Sequence, residues 1–148
     1  PWNFKQWAEL HRQLETYDDH GGDFPHFIYK EGNAILRAHE QNVQSVVKNA
    51  TMECCISTYT NDSYGASFEG LAANCPPHLQ SDVGHELANQ SGTFGLLWSI
   101  DKDGQCKCSL RSNGDYDVSA IAKAFGGGGH RNAAGFMTDI QTLLGWIK

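Results

Sequence analysis

The sequence predicts an α/β protein with a mixed β-sheet of about four to five strands, flanked by helices and preceded by a helical connector. Three observations predict this fold: helical spacing of apolar residues up to residue 50, strand-like runs between residues 51 and 112, and two short amphipathic helices after residue 117. The chain of 148 residues is 40% hydrophobic and 19% charged, which is typical of one globular domain and excludes a disordered tail.

Residues 1–50 are expected to form the helical connector. Helical spacing begins after Asn3, a candidate N-cap, with Trp7, Leu10, Leu14 and Tyr17. Aspartate and glycine break this pattern at residues 18–23, and one long helix is predicted from Pro25 to Ala50. No secretory leader is recognisable in the first segment. Because Pro1 stands where an initiator Met is usual, we expect the chain to be a piece of a longer protein.

Residues 51–148 are expected to form the α/β domain. Strands are predicted at Met52–Tyr59 and Ala66–Ala73, followed by a helix capped by Ser81. Two further strands, Gly95–Asp101 and Gln105–Ser112, flank an Asp-Gly turn that is typical of a hairpin. The last strand alternates between two faces: Cys106, Cys108 and Leu110 on one, Lys107, Ser109 and Arg111 on the other.

Two short helices complete the prediction. Asp117 or Ser119 caps the first, and Gly126 ends it in the C′ position. Thr138 begins a capping box for the second, whose apolar face holds Ile140, Leu143, Leu144 and Ile147.

Charge and cysteine content exclude several classes of protein. The net charge of −6 argues against a broad basic surface for nucleic acid, so any phosphate site must be local. No apolar run approaches the roughly 20 residues that span a bilayer. The five cysteines (Cys54, Cys55, Cys75, Cys106 and Cys108) have neither metal-site nor disulfide-framework spacing, so we expect buried, reduced thiols in a cytoplasmic protein.

Four consecutive glycines, Gly126–Gly129, precede His130. Glycine loses more backbone entropy on ordering than any other residue, so four consecutive glycines within a fold are costly. We therefore expect this run to serve a function. If the chain enters a helix near His130, successive N–H groups converge on a concavity for an anion, with the histidine at its rim. The alternative is a flexible linker, but such linkers are usually serine-rich and lie between domains.

Arg111 is the second candidate cation. It lies near the end of the alternating strand, and its guanidinium suits bidentate binding of a phosphate. The alternative is a surface arginine or an ion-pair partner of Asp115 or Asp117. Ligands bind at strand ends in α/β sheets, so we expect Arg111 and the glycine run to contact the same oligoanion.

Three segments closely resemble the C-terminal domain of the DHH-type phosphoesterases, which include the RecJ exonucleases and the enzymes that degrade very short oligoribonucleotides. They are residues 108–112, residues 117–122 and the GGGGH element with its continuation at residues 126–136, and weaker similarity extends upstream to about residue 30. The resemblance implies that this domain holds the substrate's phosphate or terminal nucleotide. It also implies a separate N-terminal domain with two divalent metals, usually manganese, that activate the attacking water.

This chain departs from the family because the metal domain is not recognisable in it. No Asp-His-His occurs, and Asp18-Asp19-His20 lacks a preceding apolar strand and is better explained as a polar loop. We therefore expect no cofactor, metal ligand or catalytic residue here. Residues 1–50 would follow the missing metal domain, and residues 51–148 would bind the substrate of a phosphodiesterase without hydrolysing it alone.

The candidate substrate-binding residues are Arg111, Ser112, Gly127, Gly128, Gly129, His130 and Asn132. The expected ligand is a short single-stranded oligonucleotide or a nucleotide. Short RNA, single-stranded DNA, a cyclic dinucleotide, a phosphorylated adenosine and polyphosphate stay open, as does the oligomeric state. The alternatives are a non-catalytic nucleotide- or nucleic-acid-binding regulatory module and a purely structural or dimerising domain.

Overall fold

The structure is a computed structural model that describes residues 24–60 and 63–148. Its elements are α1 (Phe24–Ala50), β1 (Thr51–Thr60), β2 (Ser63–Asn74), α2 (Gln80–Ser91), β3 (Phe94–Ile100), β4 (Cys106–Ser112), α3 (Val118–Ala124), β5 (Gly128–His130), β6 (Ala133–Thr138) and α4 (Ile140–Leu144). The predicted helix after Asn3 and the loop at residues 18–20 lie outside the described residues. The long helix predicted from Pro25 is confirmed.

The strands form one sheet in the order β1-β2-β3-β4-β6-β5. Strands β2 and β3 are parallel and are joined by α2, whereas the other neighbouring pairs are antiparallel. A parallel pair needs such a crossover, because its strands begin at the same edge of the sheet. The predicted mixed α/β fold is confirmed, with six strands in place of four to five.

Apolar cores lie on both faces of the sheet. One face packs against α3 and α4, and it buries alternate residues of β4: Cys106, Cys108 and Leu110. The other face packs against α2, where Ser109 of β4 bonds to Gln80. The alternation predicted for this strand is therefore confirmed.

The chain divides into two units, Pro1–Glu40 and Gln41–Lys148. In the first, the described residues belong to α1, and Ile35 and Leu36 are about half exposed, at 47% and 51%. In the second, Val43 and Val47 join the core on the α2 face. The predicted boundary at residue 50 stays a prediction. Within the described chain, no helix is long and apolar enough to cross a membrane.

Two predicted helix caps are wrong. The N-cap of α2 is Leu79, which makes no side-chain cap bond, because the helix begins one residue before Ser81. The N-cap of α4 is Asp139, whose carboxylate accepts from the N–H and hydroxyl of Thr142. Helix α4 ends after five residues, which leaves Leu144 57% exposed and not packed with Leu143.

The cap of α3 is Asp117, one of the two predicted residues. Its carboxylate accepts a hydrogen bond from the N–H of Ser119. The Ser119 hydroxyl and the Ser119 N–H, both hydrogen-bonded to it, lower the pKa of the Asp117 carboxyl. Gly126 follows the C-cap Phe125 with φ +73°, so its predicted C′ role is also confirmed.

The five cysteines are free. Four are buried, as expected, but Cys55 is half-buried and its Sγ lies 3.1 Å from the hydroxyl oxygen of Ser67. Burial raises the pKa of the Cys54 and Cys108 thiols to about 12. The reactive thiolate form of these two residues is therefore scarce near neutral pH.

We expect a thiol reagent such as Ellman's reagent to modify Cys55 first in the native protein at pH 8. The four buried thiols should react only after unfolding, because burial blocks access and, at Cys54 and Cys108, suppresses ionisation. Counting the thiols that react before and after denaturant is added checks this expectation. The Cys55→Ala variant should lose the fast phase, and rapid modification of Cys108 would contradict the described packing.

Two glycines let α2 approach the sheet closely. A Cβ on Gly84 would lie 2.6 Å from both Arg111 Cγ and Leu97 Cδ2. A Cβ on Gly95, on the strand below, would lie 2.6 Å from the Gly84 carbonyl oxygen. The stem of Arg111 is thus packed directly against the backbone of α2.

The Gly84→Ala variant should be less stable than the wild type by about 1–3 kcal/mol, because overpacking exceeds the gain in helix propensity. Urea denaturation measures this change. Gly32→Ala is the matched control, since Gly32 lies in α1 with nothing within 4 Å of an added Cβ. That variant should not lower the unfolding midpoint. A stabilised Gly84→Ala protein would disprove the close contact.

Candidate functional site

The first half of the glycine run ends α3. The N–H of Gly126 donates to the Lys123 carbonyl at 3.1 Å, and that of Gly127 donates to the Ala122 carbonyl at 2.9 Å. Both amides therefore satisfy carbonyl groups at the helix C-terminus. Contrary to the sequence-based expectation, Gly127 does not present a free N–H to an anion.

The second half of the run forms the edge strand β5 and not the start of a helix, so that prediction is wrong. Gly128 pairs with Gly135, and His130 pairs with Ala133, in an antiparallel hairpin. Successive N–H groups of a strand point to opposite sides, so the amides of β5 do not converge on one anion. The hairpin forms because residues 131–132 are tied to neighbouring elements: the Arg131 carbonyl accepts from Val118 N–H and the Asn132 carbonyl accepts from Ser112 N–H.

The register of the sheet nevertheless brings the two candidate cations together. Ala133 of β6 pairs with Arg111 of β4 on one side and with His130 of β5 on the other. Paired residues project to the same face, so Arg111 and His130 flank the single methyl group of Ala133. Two strand spacings separate their backbones by roughly 10 Å, a gap that two long side chains can close around one anion.

Arg111, Ala133 and His130 thus form a row across three strands. Beyond α2, the face that carries this row is exposed at Lys107, His130, Ala133 and Met137. Helix α2 contacts β2, β3 and β4, whereas α3 packs against β5 and β6. The row pairing places Arg111 and His130 on the α2 face. We call this surface the shelf, and it is formed by Lys107, Ser109, Arg111, Gly128, His130, Ala133, Gly135 and Met137. No carboxylate belongs to the shelf, and His130 on it is exposed.

Arg111 has no carboxylate partner among the described residues. Its Nη1 donates to the Leu110 carbonyl at 2.9 Å. The alternative ion-pair partners are engaged elsewhere: Asp115 pairs with Arg131 at 3.2 Å, and Asp117 caps α3. Within the described ranges, no carboxylate neutralises the charge of Arg111.

Lys107, at the far end of the shelf, is only partly available. Its Nζ lies 3.6 Å from the Asp101 carboxylate. Backbone N–H groups of Gln105 and Asp103 lower the pKa of the Asp101 carboxyl and keep it charged. The stronger uncompensated positive charge is therefore at Arg111.

Ser112 and Asn132 lie beside the row, but their polar groups bond within the protein. The buried Ser112 hydroxyl donates to the Tyr116 carbonyl at 2.7 Å and accepts from Asn132 Nδ2 at 3.1 Å. The same Nδ2 also donates to the Gly114 carbonyl at 3.1 Å. These bonds fix the end of β4 to the hairpin turn. Ligand contacts from Ser112 and Asn132 stay predictions, since neither has a spare proton in this arrangement.

The part of the chain that builds the shelf is similar to known proteins. Residues 79–144 match the DHHA1 domain. Over 64 residues the chain is 50% identical to an uncharacterized protein of Acanthamoeba polyphaga mimivirus, covering 40% of this chain and 15% of that protein. A crystal structure of an uncharacterized protein from Helicobacter pylori is 28% identical, with a TM-score of 0.35, and the match covers 57% of this chain and 22% of that one.

The DHHA1 match includes both Arg111 and His130. It supports the resemblance to the C-terminal domain associated with DHH-family phosphoesterases. The closer likeness to RecJ-like exonucleases and to oligoribonucleotide-degrading enzymes stays a prediction. In the described ranges, no group of three or more His, Cys, Asp or Glu side chains is placed to hold a metal ion. The manganese expected for a separate domain stays a prediction.

Three glycines of the DHHA1 segment were predicted to bind the ligand, but the fold itself requires only two of them. A Cβ on Gly127 would overlap the Gly135 carbonyl oxygen, and one on Gly129, where φ is +143°, would lie 2.5 Å from the Ala133 carbonyl oxygen. A Cβ on Gly128 would meet nothing within 4 Å and would project onto the shelf. The bare backbone at Gly128 is therefore the one that leaves room for a ligand.

Ser109 and Gly135 also belong to the shelf, although neither was predicted as a site residue. Alternation in β4 already placed Ser109 on the same face as Arg111. The pairing of Ser109 with Gly135 depends on β6, whose short run of small residues gave no strand signal.

We predict that Gly127→Ala costs about 1–3 kcal/mol of stability, because its methyl group would overlap β6. Gly128→Ala should change the free energy of unfolding by no more than about 0.5 kcal/mol. Denaturant unfolding of both variants measures the difference. Equal destabilisation would mean that Gly128 is also required by the fold.

Proposed function

We propose that the shelf binds a phosphate group of a short single-stranded oligonucleotide or nucleotide. The observation that carries this proposal is the row in which Arg111 and His130 flank Ala133 on one open face. Arg111 would bind two phosphate oxygens with its planar guanidinium. His130 would donate a hydrogen bond to the same group from the edge strand. Gly128 would leave space for the sugar or base.

We further propose that the chain is the substrate-binding part of a DHH-family phosphodiesterase. The DHHA1 match over residues 79–144 supports this assignment. Hydrolysis would then depend on a metal domain outside this chain, with manganese as the expected ion. The net charge of −6 favours a short ligand, because a long duplex needs a broad basic surface.

The binding test uses uridylyl-uridine with a 5′-phosphate and isothermal titration calorimetry. Arg111→Gln and His130→Ala should each weaken binding about 10- to 100-fold, because each removes a hydrogen bond to a charged group. Gly128→Ala should also weaken binding while it leaves stability unchanged. Lys123→Gln is the matched control, since it removes one positive charge from α3 on the opposite face, and it should bind as the wild type does.

Two outcomes would contradict the proposal. Unchanged affinity in the Arg111 and His130 variants would place phosphate elsewhere and favour a structural role for the domain. Turnover of the same dinucleotide by the purified chain with manganese would refute the assignment of hydrolysis to a separate domain.

A further inference from the structure

The hydroxyl of Ser109 lies on the shelf, and its hydrogen bond to Gln80 fixes which way its proton points. Its hydroxyl donates to Gln80 Oε1 at 2.8 Å. Gln80 is buried at the start of α2, and its Nε2 donates to the Cys75 carbonyl at 3.3 Å. A side chain on the sheet is thus connected through a buried amide to the backbone before α2.

The Cys75 carbonyl fixes the donor-to-acceptor direction of both hydrogen bonds. A carbonyl oxygen only accepts, so the NH₂ of the Gln80 amide must face Cys75 and its oxygen must face Ser109. The amide oxygen also only accepts, so the Ser109 hydroxyl must donate its one proton to it. The serine oxygen keeps its lone pairs and can act toward a ligand only as an acceptor.

The position of Ser109 makes that oxygen accessible from the shelf. The residue is half-buried, and its paired neighbour on β6 is Gly135, which in turn pairs with Gly128. No side chain therefore stands beside Ser109 across the shelf. Along β4 it lies two residues, about 7 Å, from Arg111, so one nucleotide can reach both.

We propose that Ser109 accepts a hydrogen bond from a ribose hydroxyl of the nucleotide whose phosphate lies between Arg111 and His130. A phosphodiester carries no proton at neutral pH, and a terminal phosphate, with a second pKa of about 6, is mostly dianionic, so an acceptor at this position is poorly suited to a second phosphate. The 2′-hydroxyl is a donor that RNA has and DNA lacks. Ser109 is therefore a specificity-determining residue for ribonucleotides, an inference that rests on the proposed phosphate site.

The experiment uses calorimetry to compare two ligands, uridylyl-uridine with a 5′-phosphate and the same dinucleotide with 2′-deoxyribose in place of ribose. The wild-type chain should bind the ribose form about five- to tenfold more tightly, which is the usual value of one hydrogen bond. Ser109→Ala should bind both forms with the affinity that the wild type has for the deoxy form. Ser109→Thr keeps a hydroxyl for Gln80 and should retain the preference. Ser99→Ala, which removes a hydroxyl from the neighbouring strand, is the matched control and should also retain it.

The outcomes separate this inference from the proposed function. Equal wild-type affinity for the two sugars would overturn the role of Ser109 and leave the phosphate site intact. A preference that survives in Ser109→Ala would also overturn it. The corresponding cytidine dinucleotides test whether a base amino group is the donor to Ser109. The ribose assignment would be overturned if cytosine were preferred over uracil with both sugars and Ser109→Ala abolished that preference. Binding of neither ligand would overturn the proposed function itself.

Discussion

The pairing register of β4, β6 and β5 determines where every group of the shelf lies. Because side chains alternate along a strand, a slip of one residue in β5 would move His130 from the open face to the face packed against α3. Hydrogen bonds at the hairpin turn prevent that slip: Ser112 N–H donates to the Asn132 carbonyl, and Val118 N–H donates to the Arg131 carbonyl. The polar network around Ser112 thus supports the site by fixing register, without needing to touch a ligand.

The glycine run serves packing more than anion binding. Gly126 and Gly127 end α3 and let β5 lie against β6, where a side chain on Gly127 would overlap Gly135. Gly128 differs because its backbone faces open space on the shelf. On the other side of the row, Gly84 and Gly95 bring α2 down onto the sheet and confine the stem of Arg111. The candidate site is therefore built from side chains on a glycine-lined surface and does not depend on a nest of amides.

Much of this fold could be predicted from the sequence, because long periodic segments carry their own signal. Helix α1 and the alternation that buries Cys108 followed from hydrophobic periodicity, and the β3–β4 hairpin followed from the Asp-Gly turn between two strand-like runs. The hairpin β5–β6 could not be predicted: β5 has three residues, two of them glycine, and its pairing with β6 is a tertiary contact. Arg111 and His130 were expected to lie near the same anion for a different reason, the convergence of backbone amides in the glycine run. The sequence could not predict that Ser109 acts toward a ligand only as an acceptor, because this depends on the buried hydrogen bond from Gln80 to the Cys75 carbonyl.

The proposed binding of one phosphate by both Arg111 and His130, across Ala133, can be measured as an energetic coupling between the two side chains. The measurement is a double-mutant cycle on binding of 5′-phosphorylated uridylyl-uridine, with Arg111→Gln, His130→Ala and the combined variant. If both side chains bind the same phosphate, the coupling free energy should be about 1 kcal/mol or more, so that the second substitution costs much less once the first is made. Strictly additive losses would show that the two side chains act on separate groups and would rule out a shared phosphate.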